Sequence, residues 1–383
     1  MWGRGCLFLV VHAAGLEVMP RVSIDLTLPP EARWTQIISE RNTTLHKGLN
    51  AIKASSRLVS LLLDLAAKVP VGDLRGWMPA DQAAEAVSIA ALTRVPLSEL
   101  FVLNALYDIS ASSAANSEAC TSIVTQASDG SIAHGRNLDY SFGSALRELA
   151  VTVDWHAGGL NAPPTFTSVG YLGQVAFNTV VRPKGWALSH DERDVGVVLS
   201  NWVDLVLKRR ILTFSLIRQL AQTVPTFDAA VARAANAPLS AASYFVLSGT
   251  QPGEGALITR GRAGRPEAKA DIVRLDADAR GNHSARWYLL ETNYDHDKPP
   301  AARDDRRDVA TRALARHGQP VTGSAALADV LDVLSDNGHC NRTRGERPVL
   351  NAHTVYTAVV SAAHRESLQV VLRSPAAVDN CTS

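Results

Sequence analysis

A thiol, a guanidinium and a carboxylate fall within one short stretch of this sequence. They are Cys120, Arg136 and Asp139, with Arg136 and Asp139 lying 16 and 19 residues after the cysteine. Thr121 to Ala127 reads as a strand, Asp129-Gly130 as a two-residue hairpin turn tolerant of positive φ, and Ser131 to Asn137 as the return strand. With Asp129 and Gly130 as the turn, Ser128 pairs with Ser131 and Asp139 falls opposite Cys120. Opposed residues share a face, with Cβ atoms roughly 4.5–5.5 Å apart. The same register pairs Arg136 with Ile123, facing away from Cys120, unless a bulge intervenes or Arg136 acts around the strand end. A thiol titrates near 8.5 and needs help to ionise at neutral pH. On these residues alone Cys120 can be an inert buried cysteine, a disulfide partner or a nucleophile.

Cys120-Thr121-Ser122-Ile123-Val124, followed by His134-Gly135-Arg136-Asn137-Leu138-Asp139-Tyr140, resembles the acid ceramidase and N-acylethanolamine-hydrolysing acid amidase family, N-terminal-nucleophile hydrolases of the bile-salt-hydrolase type. Glu291-Thr292-Asn293-Tyr294-Asp295-His296 and Asp304-Asp305-Arg306-Arg307 extend the resemblance in order and spacing. It implies a precursor that cuts itself between Ala119 and Cys120. The freed α-amino group, with a reference pKa of about 7.7–8.0, then serves as the base for its own residue's thiol. Asp139 orients that amine and Arg136 favours the thiolate. Asn293 supplies an oxyanion donor, and Arg306 is a further active-site arginine. Glu192 and Tyr140 line the substrate. Apart from the resemblance, the carboxylates in Ser189-His190-Asp191-Glu192-Arg193-Asp194 read as a solvated loop, Asn293 as a turn former and Asp304-Asp305 as a charged helix start.

The implied fold is α+β, a four-layer αββα sandwich. Residues 15–119 would form a helical smaller subunit and 120–383 the catalytic subunit. The implied reaction is hydrolysis of an amide between a fatty acid and an amino alcohol, without cofactor or metal. An N-acylethanolamine is favoured because Ser141 to Arg147 follows Tyr140 without an insertion. Ceramide is the alternative, suggested by Leu28-Pro29-Pro30 and Gly253-Glu254-Gly255. A non-catalytic lipid-binding relative is a third reading.

The elements that must position these groups follow from periodicity. Val22 to Leu28 alternates as a strand and Glu31 to Glu40 starts a helix. Leu49 to Val69 reads as a second helix whose polar residues, Lys53, Arg57, Ser60, Asp64 and Lys68, form one narrow stripe. Its wide apolar face suits burial on both sides, or contact with a membrane or lipid micelle. Pro79 to Ala91 and Pro96 to Leu106 follow as helices, then a small, polar, cleavable linker at Ser110 to Ala119. Beyond the hairpin, strands are expected at Glu148–Trp155, Thr165–Tyr171, Ala242–Gly249, Ala256–Arg260, Trp287–Glu291, Thr354–Ser361 and Leu368–Leu372. Helices are expected at Val203–Leu220, Thr226–Ala237 and Ser324–Ser335.

A formal charge of +1, from 38 basic and 37 acidic residues, gives no electrostatic case for nucleic acid. The sequence holds no uninterrupted apolar run of about 18 residues, as a spanning helix needs. Met1 to Ala14 resembles a short signal peptide. With sequons at Asn42, Asn282, Asn341 and Asn380, it points to the secretory route and a lysosomal or secreted location. Of four cysteines, Cys6 would leave with the leader, and Cys340 and Cys381 remain as a disulfide pair. The two subunits would then be held together non-covalently.

Overall fold

The computed structural model describes residues 17–55, 60, 63, 76–111, 120–140, 142–193, 195, 201, 205, 208, 210–264, 269–277, 285–299, 304–336, 348–364 and 368–374. The leader, Ala119 and the linker before it from 112, most of 56–69, the sequons at Asn282, Asn341 and Asn380, and the Cys340–Cys381 pair lie outside them.

Two sheets carry the fold. The first orders β1 (Glu17–Val18), β14 (Gln369–Leu372), β13 (Thr354–Val360), β4 (Ile132–Asp139), β3 (Thr121–Gln126) and β12 (Tyr288–Glu291). The second orders β11 (Asp271–Arg274), β10 (Gly255–Arg260), β9 (Ser243–Ser248), β8 (Trp186–Glu192), β7 (Thr179–Arg182), β6 (Phe166–Tyr171), β5 (Ala150–His156) and β2 (Arg21–Asp25). Neighbours are antiparallel except β2 and β5. Alternation sorts the side chains by layer. Val124 and Ile132 meet Tyr244, Val246 and Leu257 between the sheets. Ile123 and Ala133 point outward, onto Val309, Ala310, Ala326 and Val330 of α7 (Arg306–His317) and α8 (Gly323–Leu334). On the far side of the second sheet lie α5 (Thr213–Thr223) and α6 (Phe227–Asn236). The architecture is the expected α+β sandwich of two sheets flanked by helices.

The N-terminal part differs from the helical subunit expected of it. It does hold helices α1 (Thr35–Ser55), α2 (Ala80–Thr93) and α3 (Leu97–Ser110). It also gives β1 to one sheet and β2 to the other, at their edges. Prolines at 79 and 96 immediately precede α2 and α3, as the sequence suggested. The helix expected from Leu49 instead begins at Thr35, continuous with the Glu31–Glu40 start. Its stripe residue Lys53 pairs with Glu99 of α3 at 2.8 Å. A buried knot ties this part to the rest. Glu85 accepts from Arg218 at 2.6 and 2.5 Å, from Arg33 at 2.8 Å and from the Trp34 indole at 2.8 Å. The Arg218 guanidinium lies 4.4 Å from the Trp155 ring centroid. Between β4 and β5 the chain adds α4 (Gly143–Leu149), which packs on α1.

Candidate active site

The hairpin turns through three residues, not two. Ala127 donates to the Ser131 carbonyl at 2.8 Å, Gly130 donates back to Ala127 at 2.9 Å, and Gly130 takes φ +88°. This is a type I turn closed by a left-handed residue, where glycine avoids the Cβ clash. The extra loop residue shifts the register by one, so Thr121 pairs with Asn137 and Ser122 with Arg136. A one-residue slip exchanges the faces of a strand. Arg136 therefore shares the inner face with Ser122 and Cys120. Asp139 does not stand opposite Cys120 on that face; it projects to the outer face, beside α7. The register that set Arg136 against Ile123 is corrected, and no bulge in β3 is required.

On the inner face, buried Arg136 donates to Thr179 Oγ1 at 3.0 Å and lies 3.4 Å from Asp191 Oδ1. Ser122 donates to the same Asp191 oxygen at 2.9 Å and exchanges a hydrogen bond of 2.8 Å with Ser189. Thr179 also bonds the Tyr356 hydroxyl at 2.8 Å. Cys120 is buried beside this network, near enough to Tyr356 to bias its phenol. Burial pushes its thiol up, Arg136 opposes that push, and Asp191 and Asp139 add to it. Burial and Arg136 together carry His134 down to about 3, so its imidazole is neutral.

On the outer face, Arg306 at the start of α7 gathers the separated motifs. Asp304 grips it at 2.7 and 2.6 Å. Its Nη1 donates to the Cys120 carbonyl at 2.6 Å and to Thr121 Oγ1 at 3.3 Å. Its Nη2 donates to the Thr292 carbonyl and to Asn293 Oδ1, each at 3.1 Å. Asp139 Oδ2 lies 3.9 Å from Nη1 and accepts from Asn351 at 2.6 Å. Burial raises the Asp139 carboxyl to about 6, against the pull of Arg306 and hydrogen bonds from Thr354 and Asn351. Asn293 follows β12 with φ +75°, a conformation asparagine tolerates better than most residues. Its Nδ2 donates to the Glu192 carbonyl at 2.8 Å, leaving the second amide hydrogen uncommitted.

Asp191 and Glu192 are not on a solvated loop. Both are buried on β8, a central strand covered on two faces. Alternation sends the Asp191 side chain to the Cys120 side and that of Glu192 to Tyr107 of α3, whose phenol it biases. Glu192 thus meets the site through its carbonyl. Tyr140 is buried against Phe142, ring centroids 5.3 Å apart. Asn42 sits within α1, half-buried. Sequence reasoning assigned no role to Ser122, Thr179, Ser189, Asp191, Glu291 or Tyr356. The one available signal was the run of polar residues at the end of β8. Clefts of ≈ 270 and ≈ 640 Å³ open elsewhere, the larger beside the hairpin tip at Asp129 and Gly130. Among the described residues no group of His, Cys, Asp or Glu could hold a metal, and no helix is long and apolar enough to cross a membrane.

No family model matches the chain. Individual relatives do. It is 34% identical over 355 residues to the N-acylethanolamine-hydrolyzing acid amidase of Cavia porcellus, covering 93% of this chain and 91% of that one. It is 33% identical over 356 residues to the amidase of the same name from Rattus norvegicus, covering 93% and 89%. The acid ceramidase of Balaenoptera acutorostrata scammoni is 28% identical over 368 residues, covering 89% and 83%. Among solved structures, the Caenorhabditis elegans N-acylethanolamine-hydrolyzing acid amidase ortholog superposes with a TM-score of 0.54 at 27% identity, covering 66% of this chain and 99% of that one. At such identity over nearly its whole length, the chain belongs to the family of N-acylethanolamine-hydrolysing acid amidases and acid ceramidases.

Proposed function

We propose that this chain is a lipid amidase that hydrolyses N-acylethanolamines to a fatty acid and ethanolamine after cutting itself before Cys120. The observation that carries the reading is the reach of Arg306, which touches Cys120, Thr121, Thr292 and Asn293 and lies 3.9 Å from Asp139. In the uncut chain Cys120 is buried, which suits an inactive precursor. Cys120 Sγ attacks the Ala119 carbonyl carbon, and its proton passes to the departing amide nitrogen. Water then opens the resulting thioester, leaving the Ala119 carboxylate and a free α-amine on Cys120. Asp139 Oδ1, buried and without a hydrogen-bond partner, is the acceptor for that ammonium.

In turnover the α-amine takes the thiol proton, and Arg136 on the same face favours the thiolate. The thiolate attacks the substrate carbonyl, and Asn293 donates its free amide hydrogen to the oxyanion. The ammonium returns the proton to the leaving amine as the C–N bond breaks. Water, deprotonated by the same amine, then cleaves the thioester and releases the fatty acid. Tyr140 borders the acyl chain, and Glu192 holds Asn293 through its carbonyl. The two subunits stay associated non-covalently and meet their substrate at a membrane or micelle. The leader and sequons support a lysosomal or secreted location.

The alternative reading is an acid ceramidase that hydrolyses ceramide instead, supported by the 28% identity to acid ceramidase. Fatty-acid release from N-palmitoylethanolamine and from a ceramide is to be compared after acid incubation, with intact mass measured alongside. A fragment beginning at Cys120, and faster release from N-palmitoylethanolamine, are expected. A Cys120→Ser or Cys120→Ala variant that still turned over at the parental rate would sink the reading.

A further inference from the structure

We propose that Glu291 is the positioning residue of this site, locking the left-handed turn that aims the Asn293 carboxamide at the carbonyl under attack. This rests on the reading that Asn293 supplies the oxyanion donor. Glu291 is the last residue of β12 and pairs with Ser122, two residues beyond Cys120. It is fully buried, and its Oε1 accepts the backbone N–H groups of both Thr292 and Asn293, each at 2.9 Å. Those two groups would otherwise continue the ladder or stay unpaired. Their capture ends the strand and holds Asn293 at φ +75°. The Asn293 side chain is fixed from two further sides, by the Glu192 carbonyl and by Arg306. With its backbone pinned as well, the carboxamide has one orientation left, as a preorganised donor requires.

The location is a poor one for a merely structural carboxyl. Asp191 faces it from β8, Arg307 from α7 and Tyr244 from β9, while His296 Nε2 lies 3.4 Å from Oε2. Burial, and then Asp191, carry the Glu291 carboxyl up to about 8, against Arg307 and the two N–H groups. Below that pH it is a neutral acid whose carbonyl oxygen still accepts both bonds. An apolar residue would fill the space without the cost of burying a carboxyl but would release the turn.

The test compares Glu291→Ala, Glu291→Gln, Asn293→Ala and the double Glu291→Ala/Asn293→Ala variant of the full chain after cleavage. Glu291→Ala is expected to lower kcat about 10²-fold, the scale of losing one oxyanion donor, with KM within about threefold. Glu291→Gln presents the same acceptor and should stay within about threefold of the parent below pH 8. The double variant should be no slower than Asn293→Ala alone, because the two residues act as one unit. Alkylation of Cys120 by iodoacetamide, which needs no oxyanion donor, should proceed at the parental rate throughout. If a variant stays uncut, the rate at which the Cys120 fragment appears replaces kcat, with the same order expected. If Glu291→Ala unfolds, Glu291→Met, which fills the volume without an acceptor, takes its place.

Glu291→Ala at the parental kcat, Glu291→Gln as slow as Glu291→Ala, or multiplicative losses in the double variant would overturn the inference while Asn293→Ala remains slow. A parent that releases no fatty acid from either amide would instead overturn the function on which it rests.

Discussion

Replacing Asp139 with asparagine should remove a pH-dependent cost. Asp139 is fully buried, and burial raises its carboxyl from 3.8 to about 6 despite Arg306, Thr354 and Asn351. The folded chain therefore holds the Asp139 proton more tightly than the unfolded chain does. Stability falls as pH rises through the window from about 4 to 6, and the full cost is present above it. At about 1.4 kcal/mol per unit, a gap of roughly two units amounts to about 3 kcal/mol. Asparagine carries no such charge. The amide that it buries adds an offset, but the offset does not change with pH. The expected result is that Asp139→Asn gains about 3 kcal/mol on the parent between pH 3 and 7. Urea unfolding at unit pH steps measures this, with both proteins carrying Cys120→Ala so that they stay uncut. A difference flat to within about 0.5 kcal/mol would mean that Asp139 ionises as a solvated carboxyl. A parent that gained on the variant as pH rose would mean that Arg306 outweighs burial.

Two other perturbations probe the frame and the nucleophile. Glu85→Ala strips four donor groups of their acceptor and leaves Arg218 buried without its carboxylate. Losses of this kind cost about 3–5 kcal/mol, and a loss under about 1 kcal/mol in urea unfolding would contradict the buried geometry. Arg136→Ala removes the group that opposes the upward push on the Cys120 thiol. The pH profile of iodoacetamide alkylation should move up by about one unit, roughly tenfold in rate at pH 7; an unmoved profile would leave Arg136 without that role.

Much of the sandwich was legible. Short β-branched and aromatic runs mark β3, β6, β9, β10 and β13, which are buried on both faces. The hairpin was visible in Asp129-Gly130, but its loop length was not. A left-handed glycine closes two- and three-residue loops equally well, and the choice decides which face every later residue takes. The resemblance identifies the candidate residues whatever the register; a two-residue turn misplaces only Arg136 and Asp139 relative to Cys120. Adjacent carboxylates such as Asp191 and Glu192 are usually solvated, and nothing local in the sequence says otherwise. Only the sheet order shows that β8 is covered by layers on both sides, with Arg136 and Ser122 present to receive Asp191. The strand β2 shows in the alternation that starts at Val22, but β1, two residues long, carries no pattern of its own, and its partner β14 comes from far along the chain.

Those two short edge strands govern how the molecule would behave after a break before Cys120. The leading piece would be threaded through it at two separate seams, one at the margin of each sheet, with the Glu85 knot between them. Detaching that piece would mean unzipping both margins and exposing a charged cluster in one event. A mixture of two cut, isotopically distinguishable preparations would therefore trade leading pieces far more slowly than either turns over substrate. Each molecule would keep the piece with which it was synthesised.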